Sequence, residues 1–146
     1  MSGSLKGKTA LVTGSTGGAT NATLTFMVGG EQAAYERAKP YMEIMGKQFY
    51  FCGGPGQGLR AKVVQNMVGM GIFQAFAEGL VLAKKAGVDP ELMNTIIENS
   101  AAKSGLASFK APFILNRDFT THFSAKWMHK DVCFATDMAR RLNVPV

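Results

Sequence analysis

The spacing of apolar residues along this chain changes once, near position 57. Before it, short apolar runs bounded by glycine predict strands at 8–13, 23–28 and 48–52. Between the last two, Ala34, Ala38, Tyr41, Met42 and Met45 recur at helical spacing over 31–45, with Pro40 placed to kink the helix and Gly46 to stop it. After it the pattern is helical throughout. One long helix is predicted over 59–86, with Gly87 as its left-handed cap. Asp89 followed by Pro90 is an N-cap with proline at the first helical position, opening a helix to about 99. A shorter helix is predicted over 105–115. The last is capped by Ser124 and runs to about 143, with Met128, Val132, Ala135, Ala139 and Leu142 as its buried stripe. The expected architecture is a small α/β lobe over 1–57, with about three strands and one helix, joined without a linker to an all-helical lobe over 58–146. No internal repeat or low-complexity tract interrupts it.

Composition narrows the classes of function. A length of 146 residues and 47% hydrophobic content suit one domain or two small lobes with a packed core. The net charge of +6 permits anionic ligands. The basic residues are scattered and not interleaved with aromatics, which argues against nucleic acid. Two cysteines, Cys52 and Cys133, make no disulfide framework, and the sequence has no CxxC; no metal site is expected, with neither His122 nor His129 taken as a ligand. The start of the chain carries neither a signal-length apolar segment nor an arginine-rich transit pattern, so a cytoplasmic location is expected.

Residues 63–83 are apolar with Glu78 as the only charge, and carry Gly71, Ala75 and Gly79 at four-residue spacing. Membrane helices pack in this way. Gln65, Asn66, Gln74 and Glu78 are costly in lipid, however, and Lys84 and Lys85 continue the same helix. The segment reads as the buried helix of a soluble protein, with no membrane partner.

The candidate chemistry centres on Gly56-Gln57-Gly58-Leu59-Arg60-Ala61-Lys62-Val63-Val64-Gln65-Asn66. With the glycines forming a turn, Lys62 is expected in the first helical turn, where a cation near the positive end of the helix dipole loses roughly 0.3–1 kcal/mol. Asn66 follows one turn later on the same face. An ammonium tolerated there, beside an amide, is a candidate proton donor or anion clamp.

Three strings imitate nucleotide sites. The opening residues 5–18 resemble the first strand and glycine turn of short-chain dehydrogenases, but the third glycine is missing and the next apolar run is a strand. Tyr35 and Lys39 have that family's catalytic spacing, but lie too close to the glycine turn and lack a preceding serine. Gly56-Gln-Gly-Leu-Arg-Ala61 matches GxGxxA locally, yet the acidic residue expected about 20 positions on would be Glu78, in mid-helix.

Taken together, residues 19–146 resemble the later part of a β-hydroxyacid dehydrogenase of the 3-hydroxyisobutyrate and tartronate-semialdehyde reductase branch. The resemblance rests on Thr-Leu-Thr-Phe-Met-Val-Gly-Gly30, on the G-x-G-x-x-x-K pattern leading to Asn66, and on Met128-His-Lys-Asp131. Gln65 stands where the family has the first of two asparagines. The resemblance implies a helical lobe like the C-terminal domain of 6-phosphogluconate dehydrogenase. It also implies NAD or NADP as cofactor, a small hydroxyacid or semialdehyde as substrate, and a homodimer formed through the long helix 59–86. Carried over, Lys62 would be the catalytic lysine and Asn66 a substrate amide. Thr13, Gly14 and Ser15 would stand for the family's Ser-Gly-Gly substrate turn, while Lys130 and Asp131 would lie at the cofactor.

Intact members begin with a nucleotide-binding Rossmann domain. This chain therefore reads as a fragment or spliced form, truncated at its end, and weak or absent cofactor binding is expected of it alone. The alternatives are a non-catalytic helical dimerisation module and a short-chain reductase using Tyr35 and Lys39.

Overall fold

The computed structural model describes residues 10–12 and 21–146. The chain divides into two compact units, 1–65 and 66–146.

The first unit is built on a strand–helix–strand connection. Strand β2 (Leu24–Gly29) is followed by helix α1 (Gln32–Glu43) and strand β3 (Gly46–Phe51), which lies parallel to β2. Three residues of β1 (Ala10–Val12) run antiparallel on the other side of β2, with Leu11 opposite Val28. Leu24, Phe26 and Val28 alternate onto the face covered by α1 and form the core with Tyr35 and Met42. Phe26 stacks on Phe49 of the parallel neighbour at 5.6 Å between ring centres. Helix α1 runs through Pro40 and ends at Glu43, two residues earlier than its apolar pattern suggests. Tyr41, Ile44 and Met45 are exposed.

Helix α2 (Gln57–Lys85) belongs to the first unit at its start and to the second for most of its length. It begins two residues earlier than the glycines imply, because the Gly56 carbonyl already accepts from Arg60 N–H at 3.1 Å. Gly58 therefore lies inside the first helical turn, and its Cα is pressed against the β2 backbone. A Cβ there would collide with the Met27 carbonyl oxygen and come within 2.9 Å of Gly29 N. At the far end Gly87 takes φ +85°, the left-handed cap.

The second unit continues with α3 (Pro90–Glu98), α4 (Gly105–Leu115) and α5 (Ala125–Leu142). Each begins on a side-chain cap, expected at Asp89 and Ser124 and not anticipated at Ser104: Asp89 accepts from Glu91 and Leu92 N–H, Ser104 from Ala107 N–H, and Ser124 from Trp127 N–H. Asn143 closes α5 in the left-handed conformation. Phe76 and Leu80 pack on Ala107 and Ala111 of α4, where two alanines let the helices approach closely, with Met93 and Ile97 of α3 alongside. The α5 stripe is as expected except at its end: Ala135 and Ala139 are buried and Met128 and Val132 half-buried, whereas Leu142 is 64% exposed.

Helix α2 departs from the buried helix anticipated from composition. Only 17% of its most apolar window is buried, although by length and composition it could cross a membrane. Val63, Phe76, Leu80 and Ala83 face inward, while Val64, Val68, Ile72, Val81 and Leu82 lie open.

Candidate functional site

Lys62 lies in the second turn of α2, because the helix starts at Gln57. The expectation of a cation in the first turn is corrected accordingly. The dipole penalty fades within that turn, so the position of the lysine is not itself evidence of a strained ammonium. What fixes it is local: Lys62 Nζ donates to Gln65 Oε1 at 2.9 Å. Gln65, singled out in sequence only as a departure from the family's asparagine, thus holds the lysine it accompanies. The signal was its three-residue offset, which puts the two side chains on one helical face.

Asn66 sits one turn beyond Lys62 on the same helix, in the second unit. Its Nδ2 donates to Asp131 Oδ2 at 2.6 Å. The other oxygen of that carboxylate meets Lys130 Nζ at 3.0 Å. The Lys130 ammonium also lies 4.9 Å from the Trp127 ring centre and 5.6 Å from that of Phe134. Asn66, Asp131 and Lys130 therefore form one chain of contacts. An amide N–H is oriented by a carboxylate whose side chain is 14% exposed, and the charge of that carboxylate is balanced by the ammonium of a lysine whose side chain is 44% exposed. Sequence grouped Asp131 with the cofactor residues; here its partners are Asn66 and Lys130. The substrate-turn residues Thr13, Gly14 and Ser15 lie outside the described residues.

The chain of contacts also gives a stability prediction. Asp131→Ala leaves the Asn66 amide and the Lys130 ammonium without their shared partner, at a cost of about 1–3 kcal/mol. Chemical denaturation should show a lowered midpoint with an unchanged slope.

The look-alike sites resolve differently. Tyr35 is 6% exposed, packed in the core with its ring 5.3 Å from that of Phe51, which does not suit a catalytic phenol. In the GxGxxA string, the backbone approach that a dinucleotide would need at the second glycine, Gly58, is taken by the β2 backbone. The string is a packing device.

Two further features involve residues to which the sequence reading gave no role. Ahead of α5, an open cleft of about 510 Å³ is lined by Phe73, Phe113 and His122 among others. At its edge Asp118 accepts from Thr120 N–H at 2.9 Å, and hydrogen bonding by the Thr120 side chain and backbone holds its carboxyl below the ordinary aspartate value, helped by His122. A depressed folded-state pKa adds stability above the unfolded value and loses it as pH falls through the folded one. For this exposed group the effect is small, but an NMR titration should place the Asp118 midpoint below that of an unstructured aspartate. Asn at 118 would remove the dependence.

The second feature is on α5, where Cys133 Sγ lies 3.7 Å from His129 Nε2 and 3.9 Å from Nδ1. The sequence reading took neither histidine as a metal ligand; here His129 has Cys133 beside it, one helical turn on.

Comparison with known proteins supplies the family. Residues 56–146 match the family described as NAD-binding of NADP-dependent 3-hydroxyisobutyrate dehydrogenase. Residues 9–54 match the NAD binding domain of 6-phosphogluconate dehydrogenase, which replaces the short-chain dehydrogenase resemblance of the opening residues. The chain is 37% identical over 136 residues to 2-(hydroxymethyl)glutarate dehydrogenase of Eubacterium barkeri, covering 92% of this chain and 45% of that enzyme. It is 37% identical over 143 residues to a probable mitochondrial 3-hydroxyisobutyrate dehydrogenase of Dictyostelium discoideum, covering 92% of this chain and 44% of that protein. Among solved structures, the 3-hydroxyisobutyrate dehydrogenase of Mycobacterium tuberculosis with L-serine superposes with a TM-score of 0.85 at 32% identity, over 94% of this chain and 50% of that one. The chain thus spans less than half the length of these curated relatives. On these matches, carried by the helices that hold Lys62, Asn66 and Asp131, the chain belongs to the β-hydroxyacid dehydrogenase family, whose cofactor is NAD or NADP.

Proposed function

We propose that this chain supplies the substrate-side half of an NAD(P)-dependent β-hydroxyacid dehydrogenase, with Lys62 as proton donor and acceptor and Asn66 as a substrate amide. The observation that carries the reading is the pair of anchored side chains one turn apart on α2: Lys62 held by Gln65, and Asn66 held by Asp131. When bound, the nicotinamide cofactor supplies or accepts the hydride. Reducing a semialdehyde builds negative charge on the carbonyl oxygen, and the Lys62 ammonium donates the proton that quenches it; in the reverse direction the amine takes the hydroxyl proton. Asn66 orients the same oxygen, its own rotation stopped by the bond to Asp131. Lys130, half exposed between two aromatic rings, presents a positive charge suited to an anionic or amide group of the cofactor, with Asp131 setting its position. Thr13, Gly14 and Ser15 are proposed to hold the substrate carboxylate through a hydroxyl and backbone N–H groups. The serine-bound relative and the 3-hydroxyisobutyrate enzymes point to a small 3-hydroxy carboxylate as substrate class.

The helical unit is proposed to have the fold of the C-terminal domain of 6-phosphogluconate dehydrogenase. The chain by itself is expected to bind NADH weakly; fluorescence titration giving micromolar affinity would contradict this. The direct test of function is NAD(P)H consumption with small semialdehydes, using the chain fused to the nucleotide-binding portion of a relative.

A second reading, a homodimerising helical module, is favoured by the open face of α2. Val64, Val68 and Ile72 follow one another at four-residue spacing on it, and nothing lies within 4 Å of a Cβ built at Gly71 or Gly79. A second copy packed there would bury this stripe closely. Analytical ultracentrifugation should show a dimer, and Val68→Glu with Ile72→Glu should return it to monomer.

A further inference from the structure

Helix α5 carries a pair of metal-ligating side chains that the dehydrogenase reading does not use. His129 and Cys133 are four residues apart, one helical turn, and both are exposed. Their donor atoms are already close, with Cys133 Sγ 3.7 Å from His129 Nε2. Zinc–sulfur and zinc–nitrogen bonds of about 2.3 and 2.0–2.1 Å at a tetrahedral angle put the two donors about 3.5–3.6 Å apart. The observed separation is close to that, but Cys133 Sγ lies nearly as near to His129 Nδ1, at 3.9 Å, so the imidazole must turn to aim one nitrogen lone pair at a metal shared with the sulfur. Both side chains are exposed and free to make that turn.

We propose that His129 and Cys133 form a two-ligand site for a thiophilic d¹⁰ dication of the zinc class on the outer face of α5. Among the described residues no group of three His, Cys, Asp or Glu side chains converges. The protein therefore provides two ligands, and water or another small ligand from solution fills the remaining positions. On binding, the Cys133 thiol gives its proton to solvent and its sulfur bonds the metal, while neutral His129 donates a nitrogen lone pair; nothing is oxidised or reduced. The charges nearby are divided. Lys126, on the preceding turn, opposes a dication, whereas Asp137, one turn beyond Cys133 and held by Arg140 at 2.8 Å, favours one. Asp131 is about 200° around the helix from His129, so the metal would occupy a face separate from the Asn66–Asp131 contact.

Full-length chain, kept reduced with a non-coordinating phosphine, is titrated with zinc ion alone by calorimetry. Two protein ligands in place of the four of a structural zinc site imply one site per chain with Kd between about 1 and 200 μM. His129→Ala and Cys133→Ala should each weaken binding at least tenfold, while Cys52→Ala leaves it unchanged. A titration with cadmium should give a sulfur-to-metal charge-transfer band that Cys133→Ala removes and Cys52→Ala keeps. In the unmutated chain, zinc should slow alkylation of Cys133 and not of Cys52, a measurement independent of any variant's folding. Binding weaker than millimolar, equal affinity in the His129 or Cys133 variant, or no protection of Cys133 would each overturn the proposal.

Discussion

Lys62→Ala is expected to lower NAD(P)H-dependent turnover by about 10²–10⁴-fold in the chain completed with a relative's nucleotide-binding portion, the range general acid catalysis contributes. Gln65, which accepts its hydrogen bond, is exposed and can turn to water when the lysine is lost, so the fall in thermal stability should be small beside the fall in rate. That separation of activity from folding is what distinguishes a proton donor from a structural lysine. Added primary amine should restore part of the rate in Lys62→Ala, because a small amine can enter the vacated space and protonate the same oxygen. Gln65→Ala should act through Lys62, lowering kcat while leaving KM within a few-fold and shifting the pH profile. The same substitutions leave the open face of α2 intact, so ultracentrifugation should show no change in assembly. An unaltered rate in Lys62→Ala, in protein that binds substrate normally, would remove Lys62 as the proton donor, whereas no turnover in the unmutated fusion would leave the dimerisation reading.

The second large effect is on stability. Gly58→Ala places a methyl group against the Met27 carbonyl oxygen and within 2.9 Å of Gly29 N, both backbone atoms of a strand paired on either side. Neither can yield cheaply, and overpacking of this kind costs typically 1–3 kcal/mol. Gly71→Ala in the same helix meets nothing within 4 Å. There the alanine should stabilise by roughly 0.5–1 kcal/mol through helix propensity alone. Opposite shifts of the thermal midpoint in these two variants, about 2–4 °C per kcal/mol for a chain of this size, would establish that the glycine string exists to let α2 meet β2. Equal shifts would remove that account of the string.

The parts of this fold legible in sequence are those where one local rule decides. Asp89-Pro90 and Ser124 each place an oxygen where unpaired helix N–H groups need one, and both caps form. The strand runs 23–28 and 48–52 were legible because a glycine or charged residue bounds each, and both appear within about two residues. The start of α2 was misjudged because glycine reads as a turn residue. At Gly58 the demand is for closeness to another strand, a property that local sequence does not encode. The exposure of α2 was misjudged for a related reason: hydropathy reports what a side chain prefers, whereas burial depends on how much partner surface lies nearby.

At the candidate site, Lys62 and Asn66 were readable from spacing and family resemblance. Gln65 and the Asn66–Asp131 bond were not, since one needs a rotamer and the other joins residues 65 positions apart. The His129–Cys133 pair was within reach of the sequence. Its four-residue spacing is the same helical rule that linked Lys62 to Asn66, but two potential ligands one turn apart match no structural zinc motif.

The most direct test of the account follows the Lys62 side chain itself by NMR, with lysine isotopically labelled and the signal assigned through Lys62→Arg, while 3-hydroxyisobutyrate is added. The account predicts a saturable shift of the Lys62 Cε resonance that Asn66→Ala weakens. A Lys62 signal that stays fixed while other residues report bound hydroxyacid would contradict it.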